Sequence, residues 1–95
     1  MNNYELTIVL SGKATEAKKK SVLAKVEKLI NSLKGKIKKT DDWGKIELSY
    51  KIKKEESGIF ILFDLELDGP SAKILNEKVR LEDDIMRYLL IRKEK

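Results

Sequence analysis

The sequence predicts an α+β domain in which two helices cover one face of a four-stranded antiparallel sheet. Three observations predict this fold. Apolar residues alternate in some segments, they recur every three or four positions in others, and the two kinds of segment follow one another as β-α-β-β-α-β. Ninety-five residues can build one hydrophobic core but not two, so residues 1–95 are predicted to form a single domain.

The first strand and the first helix are predicted from apolar periodicity. Residues 4–10 alternate, with Leu6, Ile8 and Leu10 on one face. Thr15 is expected to be the N-cap of the helix that follows, and Gly35 is expected to end that helix as its C-cap. The apolar stripe of the helix comprises Val22, Leu23, Val26, Leu29, Ile30 and Leu33.

The centre of the chain predicts a hairpin of two strands. An extended segment is expected to begin at Ile37, to be interrupted over residues 40–44, and to resume as an alternating strand over residues 46–52. Residues 53–57 are predicted to form a polar loop that ends at Gly58. In the next strand, over residues 59–67, the residues expected to face the core are Ile59, Ile61, Phe63, Leu65 and Leu67.

The last two elements complete the pattern. Gly69 and Pro70 begin a second helix, because proline is favoured in a first turn. Its apolar stripe is expected to contain Ile74, Leu75 and Val79, and residues 85–92 form the last strand. Since crossovers between strands are right-handed and helical stripes must be buried, this order predicts a ferredoxin-like sandwich.

One face of the predicted sheet is left with large apolar side chains that no element covers. If the helices pack against the other face, then Phe60, Leu62, Leu89 and Ile91 point away from them. An uncovered apolar patch of this kind usually marks a contact surface, and these four residues are predicted to bind a protein partner. The alternative is that the side chains merely shield one another.

The distribution of charge predicts a polyanionic partner. The net charge is +5, and residues 13–54 alone carry a net charge of +9. Nucleic acid is favoured over anionic lipid as the partner of such a field, although lysine can also serve simply as a soluble surface residue.

The absence of both cysteine and histidine argues against catalysis. Disulfides, thiolate chemistry and soft-metal sites are excluded, and the commonest general acid–base residue is missing. The glycines are isolated, so no phosphate-binding loop is formed, and no cofactor or metal is expected. The longest apolar run, residues 59–63, is far shorter than a membrane span, and the first residues resemble no export signal, so a cytoplasmic location is expected.

RNA-recognition motifs share this topology but stack bases on aromatic side chains of a central strand. The corresponding positions here are Ile59 and Ile61, which offer no stacking surface. Contacts to the RNA backbone and shape are therefore expected in place of sequence-specific contacts to bases.

Three segments resemble the family of the sixth small-subunit ribosomal protein of bacteria. Residues 42–53, DWGKIELSYKIK, are similar to its signature, in which glycine, three variable or basic positions, leucine, alanine or serine, tyrosine, any residue and isoleucine follow in order. Residues 4–6 and 86–92 fit its terminal strands. Two departures are Ile46, where the family usually has a basic residue, and Lys51, where it often has proline.

The resemblance implies a structural constituent of the small ribosomal subunit. Such proteins bind the central domain of small-subunit (16S) ribosomal RNA together with the eighteenth small-subunit ribosomal protein, and the two proteins associate first. The alternative interpretations are a ferredoxin-like regulatory or protein-interaction module without RNA, and an acylphosphatase-type enzyme. The enzyme is disfavoured because such activity needs an early arginine, whereas the first arginine is Arg80.

The residues expected to bind RNA are cations of the second strand, the hairpin and the last strand. They are Lys36, Lys38, Lys39, Lys45, Lys53, Lys54, Arg87, Arg92 and Lys93. Arg87 and Arg92 are expected to contribute most, because a guanidinium can contact a phosphate with two hydrogen bonds. The alternative for Arg87 is an ion pair with an acid such as Glu5 on the neighbouring strand.

Overall fold

The computed structural model describes the backbone of residues 2–52 and 55–93 and the side chains of residues 2–47 and 57–93. The elements are β1 (Asn2–Ser11), α1 (Glu16–Ser32), β2 (Lys36–Ile52), β3 (Glu55–Leu67), α2 (Gly69–Arg80) and β4 (Ile85–Lys93). The strands form one antiparallel sheet in the order β2-β3-β1-β4, so β2 and β4 are its edges. The predicted fold class and element order are confirmed.

The core lies between the two helices and one face of the sheet. Phe63 and Leu65 are fully buried there, as are Ile61 and Leu67, and Ile59 is buried at the end of the same row of side chains. From α1 the buried residues are Val22, Val26 and Ile30, and from α2 they are Ala72, Leu75 and Val79. The prediction for Ile74 was wrong. It is 43% exposed, because Ala72, three residues before Leu75, occupies the buried stripe in its place.

The caps at the helix N-termini confirm their predicted starts. The Thr15 side chain accepts a hydrogen bond from the Lys18 backbone N–H at 3.1 Å. At α2, Asp68 accepts one from the Ser71 N–H at 2.8 Å, and Pro70 occupies the first turn. Of the helices in the described part of the chain, none is long and apolar enough to cross a membrane.

The C-terminus of α1 differs from its prediction. The helix ends in a Schellman motif, in which Lys34 donates to the Asn31 carbonyl at 3.0 Å and Gly35 donates to the Ile30 carbonyl at 2.9 Å. The left-handed residue is Lys34, with φ 61°, and not Gly35. Glycine is needed at 35 for a different reason, since a Cβ there would overlap the Leu67 side chain.

Replacing Lys34 with glycine is expected to stabilise the protein by about 0.5–1 kcal/mol, because a side chain is strained in the left-handed region. The free energy of unfolding from urea titrations measures the effect. Lys28→Gly, the same substitution at an exposed helical position, is the control and should cost about 1 kcal/mol. A loss of stability in both variants would contradict the assignment of strain to Lys34.

The second strand is longer and more continuous than predicted. Residues 40–44 do not interrupt β2, which bulges between Ile37 and Lys39 and again between Asp42 and Gly44 while it stays paired with β3. The predicted loop over residues 53–57 was too long, because β3 already begins at Glu55. A bulge places two residues opposite one and breaks the alternation, and a sequence pattern shows this as an interruption.

Candidate functional site: the open face of the sheet

The register of the strands arranges the uncovered face of the sheet in four rows that each cross all four strands. Nearest the β2–β3 hairpin, one row contains Gly44, Phe60, Val9 and Arg87, in the order β2, β3, β1 and β4. The following rows are Asp41-Leu62-Thr7-Leu89, Lys39-Asp64-Glu5-Ile91 and Lys36-Glu66-Asn3-Lys93. The face is therefore apolar near the hairpin and charged at the opposite end.

The four residues predicted to bind a protein partner all lie on this face. Leu89 is 57% exposed and Ile91 46%, and Phe60 and Leu62 are half-buried. Val9 lies between Phe60 and Arg87 in its row and is buried, so it forms the floor of the surface. These five residues, Val9, Phe60, Leu62, Leu89 and Ile91, are called the apolar patch below.

Ion pairs occupy the other end of the open face. Lys93 Nζ lies 3.3 Å from Asp64 Oδ2 and 3.9 Å from Glu5 Oε2, across three adjacent strands. Lys38 Nζ lies 3.5 Å from Glu66 Oε1. Lys38 and Lys93 are therefore held in ion pairs at this end of the face, whereas Lys36 in the same end row makes no ion pair among the described residues.

The structure divides the cations that were predicted to bind RNA into separate groups. Lys38 and Lys93 are paired as described, and Lys39 Nζ lies 3.6 Å from Asp41 Oδ2 on the same strand. Within the described part of the chain, three of them make no ion pair or side-chain hydrogen bond, namely Lys36, Lys45 and Arg87. Lys53 and Lys54 lie outside the described residues.

The two arginines of β4 lie on opposite faces of the sheet. Arg87 belongs to the open face, whereas Arg92 is opposite Tyr4, a core residue, and donates to the side-chain oxygen of Asn2 at 3.1 Å. Glu5, the example given of an acid that could pair with Arg87, does not do so, because it lies opposite Ile91 and its carboxylate contacts Lys93. Among the described residues Arg87 therefore has no partner that an external anion would have to displace, whereas Arg92 has one in Asn2.

An ion pair that the sequence did not predict joins α1 to the second bulge of β2. Lys19 Nζ donates to Asp42 Oδ2 at 2.6 Å, and Asp42 Oδ1 accepts from the Gly44 backbone N–H at 2.8 Å. The Lys19 contact and then the Gly44 hydrogen bond hold the pKa of Asp42 below its ordinary value of 3.8. The hydrogen bond to Asp42 raises the pKa of Lys19 above 10.5, against the opposing effect of burial. The two partners are 23 residues apart, and only the D-x-G spacing of Asp42 and Gly44 signals part of this arrangement.

The contribution of this pair to stability is expected to depend on pH. Because the pKa of Asp42 is lowered, the contribution is present above pH 3.8 and is lost as the pH falls below it. Because the pKa of Lys19 is raised, the contribution persists up to pH 10.5 and is lost above it. Asp42→Asn should therefore lower the free energy of unfolding at neutral pH and have a smaller effect in acid. A difference of the same size at both pH values would assign the effect to another contact of Asp42.

The described residues include no group of three or more acidic side chains placed to hold a metal ion. What the open face offers is an apolar surface bordered by cations. This arrangement suits binding to macromolecules.

A sequence profile described as ribosomal protein S6 matches residues 3–92. The chain belongs to the ribosomal protein S6 family. Small ribosomal subunit protein bS6 of Geotalea daltonii is 35% identical, in an alignment that covers 100% of this chain and 74% of that protein. The bS6 protein of Caldanaerobacter subterraneus is 33% identical over 97% of both chains.

Solved structures agree with this assignment. The crystal structure of 30S ribosomal protein S6 from Thermotoga maritima has a TM-score of 0.91 and 26% identity, with 97% of this chain and 87% of that chain covered. The P2 domain of the chemotaxis kinase CheA from the same organism has a TM-score of 0.57 and 13% identity over 97% of this chain and 98% of that domain, a likeness that shows the fold alone. As an S6 family member, the chain is a structural protein of the small subunit in the cytoplasmic ribosome and not an enzyme.

Proposed function

We propose that this chain binds small-subunit ribosomal RNA jointly with the eighteenth small-subunit ribosomal protein, which docks on the apolar patch. The observation that carries the proposal is the patch itself. Its exposed members, Leu89 and Ile91, lie on an open face that neither helix covers. Contiguous exposed apolar side chains with a polar border are typical of protein contact surfaces.

The RNA contact is assigned to cations at the edges of the sheet near the hairpin. Arg87 lies on the edge strand β4, in the row of the patch closest to the hairpin. Lys45 lies on the opposite edge strand β2, one residue beyond that row and opposite the buried Ile59, and it is exposed at the margin of the sheet. Neither has an ion pair or a side-chain hydrogen bond within the described part of the chain, so neither would have to give up a described partner to contact a phosphate. Lys38 and Lys93, in contrast, would have to exchange an existing ion pair for a phosphate.

Because the protein partner and the RNA would contact different surfaces, this chain and the eighteenth small-subunit protein should bind RNA together. A protein that covers the apolar patch would border Arg87, and its own cations would continue the basic edge. Counterion release rises with the number of phosphates neutralised, so the combined surface should bind RNA more tightly than either protein alone.

Binding of a central-domain transcript of small-subunit ribosomal RNA, measured by filter titration, tests the proposal. The isolated chain is expected to bind weakly, and saturating amounts of the eighteenth small-subunit protein should raise the affinity by about 10-fold or more, as for typical coupling energies. The control omits this chain and titrates the partner alone. Equal RNA affinity with and without the partner would contradict joint binding.

A further inference from the structure

We propose that Trp43 is a base-stacking contact to RNA, presented at the edge of the sheet by the second bulge of β2. This inference rests on the proposed function, because it specifies how the same chain meets its RNA. It names a contact with the face of a base, which Ile59 and Ile61 of β3 cannot offer, because both are buried aliphatic residues.

Trp43 is a large aromatic side chain that the fold leaves in solvent. It is the only tryptophan in the chain, and it is 59% exposed, whereas Phe63 is fully buried and Phe60 is half-buried. Burying an indole stabilises a small domain considerably, so its exposure forgoes stability that the core could have gained. Proteins that bind single-stranded nucleic acids stack the bases on exposed aromatic side chains.

The residues around Trp43 hold its backbone in one conformation. On one side, Asp42 is fixed to α1 by the 2.6 Å contact with Lys19. On the other side, Gly44 adopts φ 76° and donates its N–H to Asp42 Oδ1 at 2.8 Å. Trp43 therefore lies between two anchored residues, and a ligand would not have to order this segment on binding.

The surroundings of Trp43 favour RNA over an added protein strand. Strand addition needs a regular row of free backbone groups along an edge, and bulges of β2 interrupt that row between Ile37 and Lys39 and between Asp42 and Gly44. The two carboxylates that precede Trp43 in the chain already lie in ion pairs, Asp41 with Lys39 and Asp42 with Lys19, which also contacts Glu16. Lys45, which is two residues away, has no described partner and can contact the phosphate of a stacked nucleotide.

The open space beside Gly44 leaves room for a base. A Cβ built on Gly44 would meet no atom within 4 Å, so nothing in the described part of the chain crowds the backbone next to Trp43. An aromatic face, a cation without a described partner and adjacent open space together make a site that can stack a base and hold its phosphate.

Because the chain has one tryptophan, its fluorescence reports on this residue alone. The central-domain transcript is titrated into the chain bound to the eighteenth small-subunit protein, in which any tryptophan has been replaced by phenylalanine. Quenching of Trp43 emission that saturates with RNA binding is the expected result. Unchanged emission on RNA binding, or a blue shift caused by the protein partner alone, would overturn the proposal.

Substitutions provide a second measurement. Trp43→Ala should weaken RNA binding by about 5- to 100-fold, and Trp43→Phe should retain part of the affinity, because stacking depends on the aromatic face. The slope of log affinity against log salt should stay the same in both variants, since the indole is uncharged. Leu81→Ala, at a 75% exposed site on the helical side, is the matched control and should bind RNA normally.

The outcomes separate this inference from the proposed function. Normal RNA affinity of Trp43→Ala, in a complex whose parent binds RNA with its partner, would reject the stacking contact and leave joint binding intact. A parent complex that does not bind the transcript at all would overturn both.

Discussion

Replacing Leu89 and Ile91 with serine is expected to weaken binding to the eighteenth small-subunit protein by about 100-fold or more. Both side chains belong to the apolar patch and are about half exposed, so they are available to a partner without rearrangement. Central apolar contacts of this kind typically contribute ~2 kcal/mol or more to an interface. Because neither side chain is in the core, the free energy of unfolding should fall by only about 1 kcal/mol. Calorimetric titration of the partner, with urea unfolding of the same variant, measures both effects.

The helical side of the molecule provides a matched control. Ile74 and Leu81 are also large, apolar and exposed, at 43% and 75%, but they lie on and just after α2. The double substitution of these two residues by serine should leave partner binding unchanged. The double variant Phe60→Ser and Leu62→Ser should lose partner affinity as the Leu89 and Ile91 double variant does. It should lose more stability, because both residues are half-buried. Equal losses of partner affinity in the helical and patch variants would show that the patch is not the docking surface.

Replacing Arg87 and Lys45 with alanine is expected to change the salt dependence of RNA binding more than any other pair among the described candidates. If four or five of the predicted cations neutralise phosphates, log affinity should fall against log salt with a slope of roughly −3 to −4.5. Each true phosphate contact that is removed should reduce the slope by about one unit, so the double variant should lose about two. Filter binding at several salt concentrations gives the slope directly.

Two further variants control for charge and position. Arg80→Ala removes a cation that has no ion pair within the described residues and lies at the end of α2, far from the open face, and it should not change the slope. Arg92→Ala should have a smaller effect than Arg87→Ala, because Arg92 lies on the other face and already donates to Asn2. A slope that is the same in the parent and in the Arg87 and Lys45 variants would assign the RNA contact to other lysines.

Much of the fold could be predicted because burial leaves a period in the sequence. The acidic residues of β3 alternate with its core residues, so their spacing determined which face Phe63 occupies and, with it, that Phe60 and Leu62 lie on the open face. Capping chemistry was equally local, since Thr15 and Pro70 act within one turn of their own positions.

Features that depend on distant residues could not be predicted in the same way. The bulges of β2 are defined by how its residues pair with β3, which the sequence of β2 alone does not show. Residues 40–44 therefore resembled a break in the strand. The charges of Lys38 and Lys93 looked as available as that of Arg87, because their carboxylate partners come from other strands. The Trp43 segment belonged to the family signature, but its anchoring by Lys19 required the packing of α1 against the sheet.

Mapping of both partners by NMR on the same labelled chain tests the division of surfaces most directly. Addition of the eighteenth small-subunit protein should shift the methyl signals of Val9, Leu62, Leu89 and Ile91 and leave Ile74 and Leu81 unchanged. Subsequent addition of the central-domain transcript should shift the amide signals of Lys45 and Arg87 and leave those of α2 unchanged. Partner-induced shifts confined to the helical side, with an unperturbed apolar patch, would contradict the account.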